Sequence, residues 1–267
     1  MLSKEDLKGK FGSYKWVDTE DNTQTLWSEY FDENCHSLAG AKAETVYNFI
    51  EGCEFYSKIE KGNVNILEVG LGVGVGLEAT LESWLNFLKN NPRTQRDVNF
   101  YTLEIDPYLA NLYLENAKYN FEVKETFLDE FPILEFVYKF QESQFKCFII
   151  IGDARKSVRE LKKILKSPLD MIYQDAFSPK KNPTLWTLQW FIDLKNLSEH
   201  SVILSTYSAS QRALKALVEA GWYVNKRKGF GAKRSCTQAF ADETKADKNL
   251  QNSLKSSRTI PYDDNEL

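Results

Sequence analysis

The sequence predicts an α/β fold built on a Rossmann-like, mostly parallel sheet. Three observations carry that reading. From residue 64 onward, short apolar runs alternate with helical patterns, as βαβ units require. The first run ends in a glycine-rich turn, Gly70-Leu71-Gly72-Val73-Gly74-Val75-Gly76. The last two strands, 222–226 and 236–240, have no helix between them and read as an antiparallel hairpin at the sheet's end.

The elements follow in order. Residues 1–43 lack a helical period, and Thr25-Leu26-Trp27-Ser28-Glu29-Tyr30-Phe31 reads as a strand or hairpin after a turn at Asp21-Asn22. Residues 40–60 place Ala43, Val46, Tyr47, Phe49 and Ile50 on one helical side. Residues 64–70 form a buried strand. The next helix carries Leu77, Leu81, Trp84, Leu85 and Leu88, and Asn90-Asn91-Pro92-Arg93 ends it. Strand 98–104 leads to a helix opened by Pro107. Strands at 145–152, 169–174 and 201–206 alternate with helices at 154–165, 185–197 and 210–220, the last stopped by Gly221. The hairpin ending is unusual for a dinucleotide dehydrogenase and usual for the class I methyltransferase version of this sheet. The expected division is an N-terminal strand or hairpin extension at 1–43, one α/β domain at 44–241, and a polar tail at 242–267 with no packed core of its own.

The 267 residues allow one or two domains, and 42% hydrophobic residues suffice for a sizeable core. A net charge of -4 means that nucleic-acid binding would need a local basic patch. Cys35, Cys53, Cys147 and Cys236 are too dispersed for a zinc cluster or disulfide framework, so no metal site is expected. Cys147 reads as a core residue. The N-terminus is polar, without an apolar signal core, and no run suits a membrane helix, so a soluble cytoplasmic protein is expected.

Glu68-Val69-Gly70-Leu71-Gly72-Val73-Gly74 follows a buried strand, where glycines let a ligand approach the backbone. A dinucleotide fingerprint fails here. Counted from Gly70 its third glycine would be Val75, and counted from Gly72 it would be Leu77. An acid beside the loop suits the cationic sulfonium and ammonium of S-adenosylmethionine and would repel a pyrophosphate. Glu104, ending the second strand, is placed to accept hydrogen bonds from ribose hydroxyls. Asp153 either caps the helix after its strand or accepts an adenine amino group beside the Ala154 N–H, and the two roles are compatible. Asp175, in Tyr173-Gln174-Asp175-Ala176-Phe177-Ser178-Pro179, ends the fourth strand, where open α/β sheets bind ligands.

With these residues in view, the sequence resembles the methyltransferase component of the bifunctional bacterial enzyme that completes 5-methylaminomethyl-2-thiouridine at the tRNA wobble position. The resemblance spans roughly residues 23–240. It rests on residues 25–31 with His36-Ser37, on Glu68-Val69-Gly70-Leu71-Gly72, and on Asp175-Ala176-Phe177-Ser178-Pro179-Lys180-Lys181-Asn182-Pro183 with Trp186. It rests also on Lys226-Arg227-Lys228-Gly229-Phe230-Gly231 with Lys233-Arg234. It implies a class I fold, S-adenosyl-L-methionine as donor, the amine of 5-aminomethyl-uridine as acceptor, and Asp175 as the catalytic acid. The oxidase half of the bifunctional enzyme has no counterpart here, which suggests a stand-alone form served by a separate enzyme that supplies the aminomethyl group.

An attacking amine must be neutral, and its nitrogen becomes positive during transfer. A carboxylate at Asp175 would stabilise that developing charge. Lys180, Lys181, Lys226, Arg227, Lys228, Lys233 and Arg234 read either as a solvated face or as phosphate contacts to the tRNA anticodon stem-loop. Phe177 and Phe230 could stack on a flipped-out base. Trp186 reads as core packing, and His36 as a cofactor flap or a structural histidine. Two other readings stand beside this one: a methyl- or aminopropyl-transferase acting on a small amine, and a non-catalytic RNA-binding domain.

Overall fold

The computed structural model describes residues 7–266. The first six residues, part of the polar N-terminal stretch, lie outside the described residues, as does Leu267. Four short strands, β1 (Leu7–Lys8), β2 (Ser13–Asp18), β3 (Gln24–Ser28) and β4 (Glu33–Asn34), form an antiparallel sheet in chain order. The aromatic run expected as a strand thus supplies β3 and the loop after it. The expected 40–60 helix is broken. α1 (Ala41–Thr45) passes into a π-helical turn at Val46–Glu51, then α2 (Phe55–Lys61) follows Glu54, whose φ is 56°. A left-handed residue interrupts the α-helical ladder at that point.

The remaining chain runs β5 (Val64–Val69), α3 (Val75–Asn90), β6 (Val98–Glu104), α4 (Pro107–Asn116), β7 (Lys124–Leu128), β8 (Phe131–Phe140) and β9 (Ser143–Ile151). It continues through α5 (Ala154–Glu160), β10 (Leu169–Gln174), α6 (Leu188–Asn196), β11 (Ser198–Thr206), α7 (Gln211–Glu219), β12 (Tyr223–Lys228), β13 (Ser235–Phe240) and α8 (Lys248–Ser256). Nine strands form one sheet in the order β12-β13-β11-β10-β5-β6-β9-β8-β7. The five central strands are parallel, and β13 and β12 close one edge antiparallel, as the hairpin reading expects.

β5 is buried at all six positions, which is why it reads as an unbroken apolar run. Val64 and Ile66 face the core under α2, α3 and α4, while Leu67 and Val69 face the core under α5, α6 and α7. Each such fully buried side chain contributes about 1.5–3 kcal/mol of hydrophobic stabilisation. The strand order reverses at β5 and β10, so the crevice for a ligand lies at their carboxyl ends.

Three elements differ from the expectation. Residues 120–144, unassigned from sequence, form the β7–β8 hairpin, antiparallel to β9. The 185–197 helix is a 3-10 turn at Pro183–Trp186 followed by α6, whose cap is Thr187, with its side chain accepting from the Trp190 N–H. Trp186 therefore lies before the helix; it is fully buried, as its core reading required. The tail expected to lack packing is instead docked. Asp247 caps α8 by accepting from the Asn249 and Leu250 N–H groups. Leu254 is 2% exposed, and Gln251 pairs with the Val224 N–H and the Trp222 carbonyl.

Candidate active site

A cavity of about 460 Å³ opens at the carboxyl ends of β5, β6 and β10. Gly70, Gly72, Glu104, Asp153, Ala154, Asp175 and Phe177, all singled out in the sequence, line it. Lys233 lines it too. The loop after β5 turns through positive φ at Gly70 (98°), Gly72 (54°) and Gly74 (79°). Gly70 lies so close to β10 that an added Cβ would stand 3.1 Å from the Asp175 carbonyl, whereas Gly72 faces open space. A side chain at either position would narrow the cavity or force the loop off β10.

Glu104 ends β6, almost fully buried. Its Oε2 accepts from the Gly72 N–H at 3.0 Å and its Oε1 from the Asp106 N–H at 2.9 Å. Burial pushes its carboxyl up to about 7. Asp106 in turn caps α4 and accepts from the Lys10 N–H and the Tyr14 hydroxyl, both at 2.9 Å. The N-terminal sheet is thereby tied to the rim of the cavity. Asp153 caps α5 by accepting from the Arg155 N–H at 2.9 Å and also borders the cavity, so the capping role is realised at the place where adenine was expected.

Two expected contacts lie elsewhere. Glu68 is 1% exposed and off the cavity wall; it accepts from the Thr102 hydroxyl at 2.8 Å and faces Gly76 of α3. Burial pushes its carboxyl up to about 8, so it braces strand against helix rather than presenting a negative charge to the cavity. Gly74 packs against the Tyr113 ring, where a Cβ would come within 2.1 Å, so its smallness serves packing.

Asp175 directly follows β10. Gln174 before it is locked by Trp190 Nε1, which donates to its Oε1 at 3.0 Å, and by its own Nε2 donating to the Leu185 carbonyl at 2.8 Å. The Trp186 Nε1 donates to the Phe177 carbonyl and the Tyr207 hydroxyl to the Ala176 carbonyl. The turn that carries Asp175 is thus held on both sides. Burial, with Glu44 and Glu68 nearby, raises the Asp175 carboxyl well above the usual carboxylate range, and Lys233 opposes that rise.

The loop between β3 and β4 crosses to this turn. Phe31 stacks on Phe177 with centroids 4.1 Å apart, Glu33 accepts from the Ser178 N–H at 2.9 Å, and Lys181 pairs with Asp32 at 2.7 Å. The stack contributes about 0.5–1.5 kcal/mol beyond its buried area. The exposed ion pair adds at most about 1 kcal/mol. His36 borders the cavity with Nδ1 3.1 Å from the Thr25 hydroxyl, and burial pushes its imidazole down to about 4. It thus borders the cavity and is hydrogen-bonded to Thr25 of β3.

The basic segment divides. Lys233 reaches the cavity wall and pairs with Glu44 at 2.7 Å. Arg227 packs over the Tyr47 ring at 4.5 Å and donates to its carbonyl. Phe230 lies near Tyr47, and it and Lys180, Lys181, Lys226, Lys228 and Arg234 are outside the cavity lining. Of these, Lys180, Lys181, Lys226, Lys228 and Arg234 are exposed. Sequence reasoning missed Glu33, Glu44, Arg155 and Tyr207, all of which border the cavity. Only Tyr207 carried a signal, since it directly follows a parallel strand.

The residues present suit a nucleoside bearing a positive charge. An acidic group ends β6, the glycine loop is open, and acids line the far wall. Residues 115–242 match the family model described as S-adenosyl-L-methionine-dependent methyltransferase. The chain is 30% identical over 226 residues to an uncharacterized protein of Methanocaldococcus jannaschii, covering 84% of this chain and 58% of that one. It is 29% identical over 225 residues to the tRNA 5-methylaminomethyl-2-thiouridine biosynthesis bifunctional protein MnmC of Leptospira borgpetersenii, covering 80% of this chain. The chain spans 33% of that relative's length. The crystal structure of MnmC2 from Aquifex aeolicus superposes with a TM-score of 0.68 at 26% identity, covering 95% of this chain and 79% of that one. No helix among the described residues is long and apolar enough to cross a membrane. The chain thus has the fold of the S-adenosyl-L-methionine-dependent methyltransferases and is similar to part of the MnmC proteins.

Proposed function

We propose that the protein N-methylates the 5-aminomethyl group of the wobble uridine in tRNA, giving 5-methylaminomethyl-(2-thio)uridine. The observation that carries this reading is Asp175 in the wall that also holds the glycine loop and Glu104, with Lys233 of the basic segment reaching the same wall. The likeness to MnmC supports the choice of acceptor. Residues 44–241 are the catalytic unit in this reading, and residues 7–43 cover its rim. A tRNA substrate puts the protein in the cytoplasm, and a separate enzyme supplies the aminomethyl group.

Bound S-adenosylmethionine supplies an electrophilic methyl group. In this reading Glu104 holds the ribose hydroxyls, Gly70 and Gly72 border the donor's charged end, and Asp153 and Ala154 meet adenine. Asp175 faces the acceptor nitrogen. The nitrogen lone pair forms the new N–C bond, and the electrons of the broken S–C bond stay on sulfur. The positive charge thus moves to nitrogen; the cations that enter the site favour the ionised form of Asp175, which burial raises in the empty site, and that carboxylate stabilises the new charge more than it stabilises the neutral amine. Alignment of donor and acceptor supplies much of the remaining rate. Lys180, Lys181, Lys226, Lys228 and Arg234 contact tRNA phosphates, and Phe177 offers a face to the extruded base.

The test compares a tRNA carrying 5-aminomethyl-2-thiouridine at the wobble position with the same tRNA carrying unmodified uridine there. Nucleoside analysis after incubation with S-adenosylmethionine should find 5-methylaminomethyl-2-thiouridine in the first alone. Methylation elsewhere in both would give the protein a different substrate.

A further inference from the structure

The acceptor half of the cavity already contains a primary amine. Lys233 sits in the loop between β12 and β13, where residues 231–234 are exposed, yet its side chain turns inward to the cavity wall. Its Nζ lies 2.7 Å from Glu44 Oε1 and 4.4 Å from the centre of the Tyr207 ring. A carboxylate on one side and an aromatic face on the other are the two groups that recognise an alkylammonium.

Both are fixed before any ligand arrives. Glu44 Oε2 accepts from the Ser37 N–H at 2.8 Å, and the Tyr207 hydroxyl donates to the Ala176 carbonyl at 2.7 Å. The second bond anchors the ring to the residue next to Asp175. The Glu44 side chain is 8% exposed, so without a cation beside it a buried carboxylate would stand unpaired. Lys233, 40% exposed on an outer loop, can withdraw without opening the core. The position therefore requires a cation, but not this particular one.

We propose that the seat held by the Lys233 ammonium is the docking place of the acceptor's own primary amine, with Glu44 and Tyr207 as specificity-determining contacts. The proposal rests on reading this site as an amine N-methyltransferase. Lys233 keeps Glu44 paired while the site is empty and yields the seat when an alkylammonium enters. From there the amine loses one proton to solvent and presents its lone pair beside Asp175. A hydroxymethyl or methyl group in the same place carries no charge and leaves Glu44 unpaired, so the seat selects the aminomethyl form of its substrate.

Lys233→Ala empties the seat and leaves room for a four-carbon chain. Titrated with n-butylammonium under saturation-transfer NMR, that variant should bind the amine, while n-butanol should not bind. Adding Glu44→Gln, which keeps the shape and removes the charge, should weaken butylammonium binding about tenfold or more. Tyr207→Leu in the Lys233→Ala background should also weaken it, and serves if the Glu44 variant does not fold. Equal binding of butanol, indifference to both second changes, or no binding of butylammonium overturns the proposal. With the aminomethyl tRNA, Glu44→Gln should raise KM for tRNA more than it lowers kcat and leave the affinity for S-adenosylmethionine unchanged. Failure of the wild type on that tRNA would sink the tRNA reading alone, because the butylammonium experiment does not depend on it.

Discussion

Glu104 couples the cofactor pocket to pH. Both its oxygens accept backbone N–H bonds, yet burial holds its carboxyl up to about 7. In the proposed reading ribose hydroxyls donate to the ionised form, so binding favours loss of its proton. Below about pH 7 the free protein must first give up that proton, and affinity should fall up to about tenfold per unit. Calorimetry between about pH 5.5 and 8 should show this slope, and Glu104→Gln should bind more weakly with the slope gone. A flat wild-type profile would remove Glu104 from the ribose site. Residues of this kind were legible because each stands at the end of a buried apolar run, where topology places ligands. Glu33 was not, since it comes from a segment without helical period, nor was Glu44, which stands on α1; both reach the cavity only through tertiary packing. Glu68 misled for a related reason. Position on a strand end does not tell which side of the sheet a carboxyl faces, and this one faces α3.

The elements that escaped the sequence reading are those whose apolar residues are diluted by polar ones. β8 alternates buried Phe131 and Ile133 with partly exposed neighbours, one strand in from the sheet's edge. The tail is polar on average, but Leu250 and Leu254 recur at i and i+4 and Asp247 supplies the cap. Beyond α8 the chain returns to the catalytic unit. Tyr262 accepts from the Leu188 N–H and lies under the Arg212 guanidinium at 4.1 Å, while Asp264 pairs with Arg155 at the cavity. The tail is therefore part of the folded unit. Leu254→Ala should cost about 2–5 kcal/mol, measured by urea denaturation. Removing residues 258–267 should lower the melting temperature and weaken S-adenosylmethionine binding, because Arg155 loses its partner beside the cavity. Unchanged stability in both variants would return the tail to the status of an unpacked appendage. By contrast, the five parallel strands were legible as apolar runs alternating with helical patterns, and the closing hairpin was legible because no helix separates its two strands.

At the scale of the whole molecule, a chain with net charge -4 exposes Lys180 and Lys181 after β10 and Lys226, Lys228 and Arg234 on the closing hairpin, alongside exposed lysines elsewhere such as Lys61, Lys124 and Lys162. The phosphate reading of this strip predicts a strong salt dependence of tRNA binding. Neutralising Lys226, Lys228 and Arg234 together should weaken binding and reduce the slope of log affinity against log salt by about 2–3. The affinity for S-adenosylmethionine should stay the same. An unaltered slope would make the strip a solvated face. The placement also joins the two halves of the account, for the closing hairpin carries both this strip and Lys233 of the amine seat.

The most direct test of the central claim is transfer of labelled methyl from S-adenosylmethionine to tRNA bearing 5-aminomethyl-2-thiouridine, with wild type and Asp175→Asn run side by side under single-turnover conditions. The account predicts that the wild type forms 5-methylaminomethyl-2-thiouridine. It predicts that Asp175→Asn binds both substrates but transfers about 10²–10³-fold more slowly, since an amide cannot stabilise the charge that develops on nitrogen. Equal rates in the two proteins would contradict it and move the chemistry away from Asp175.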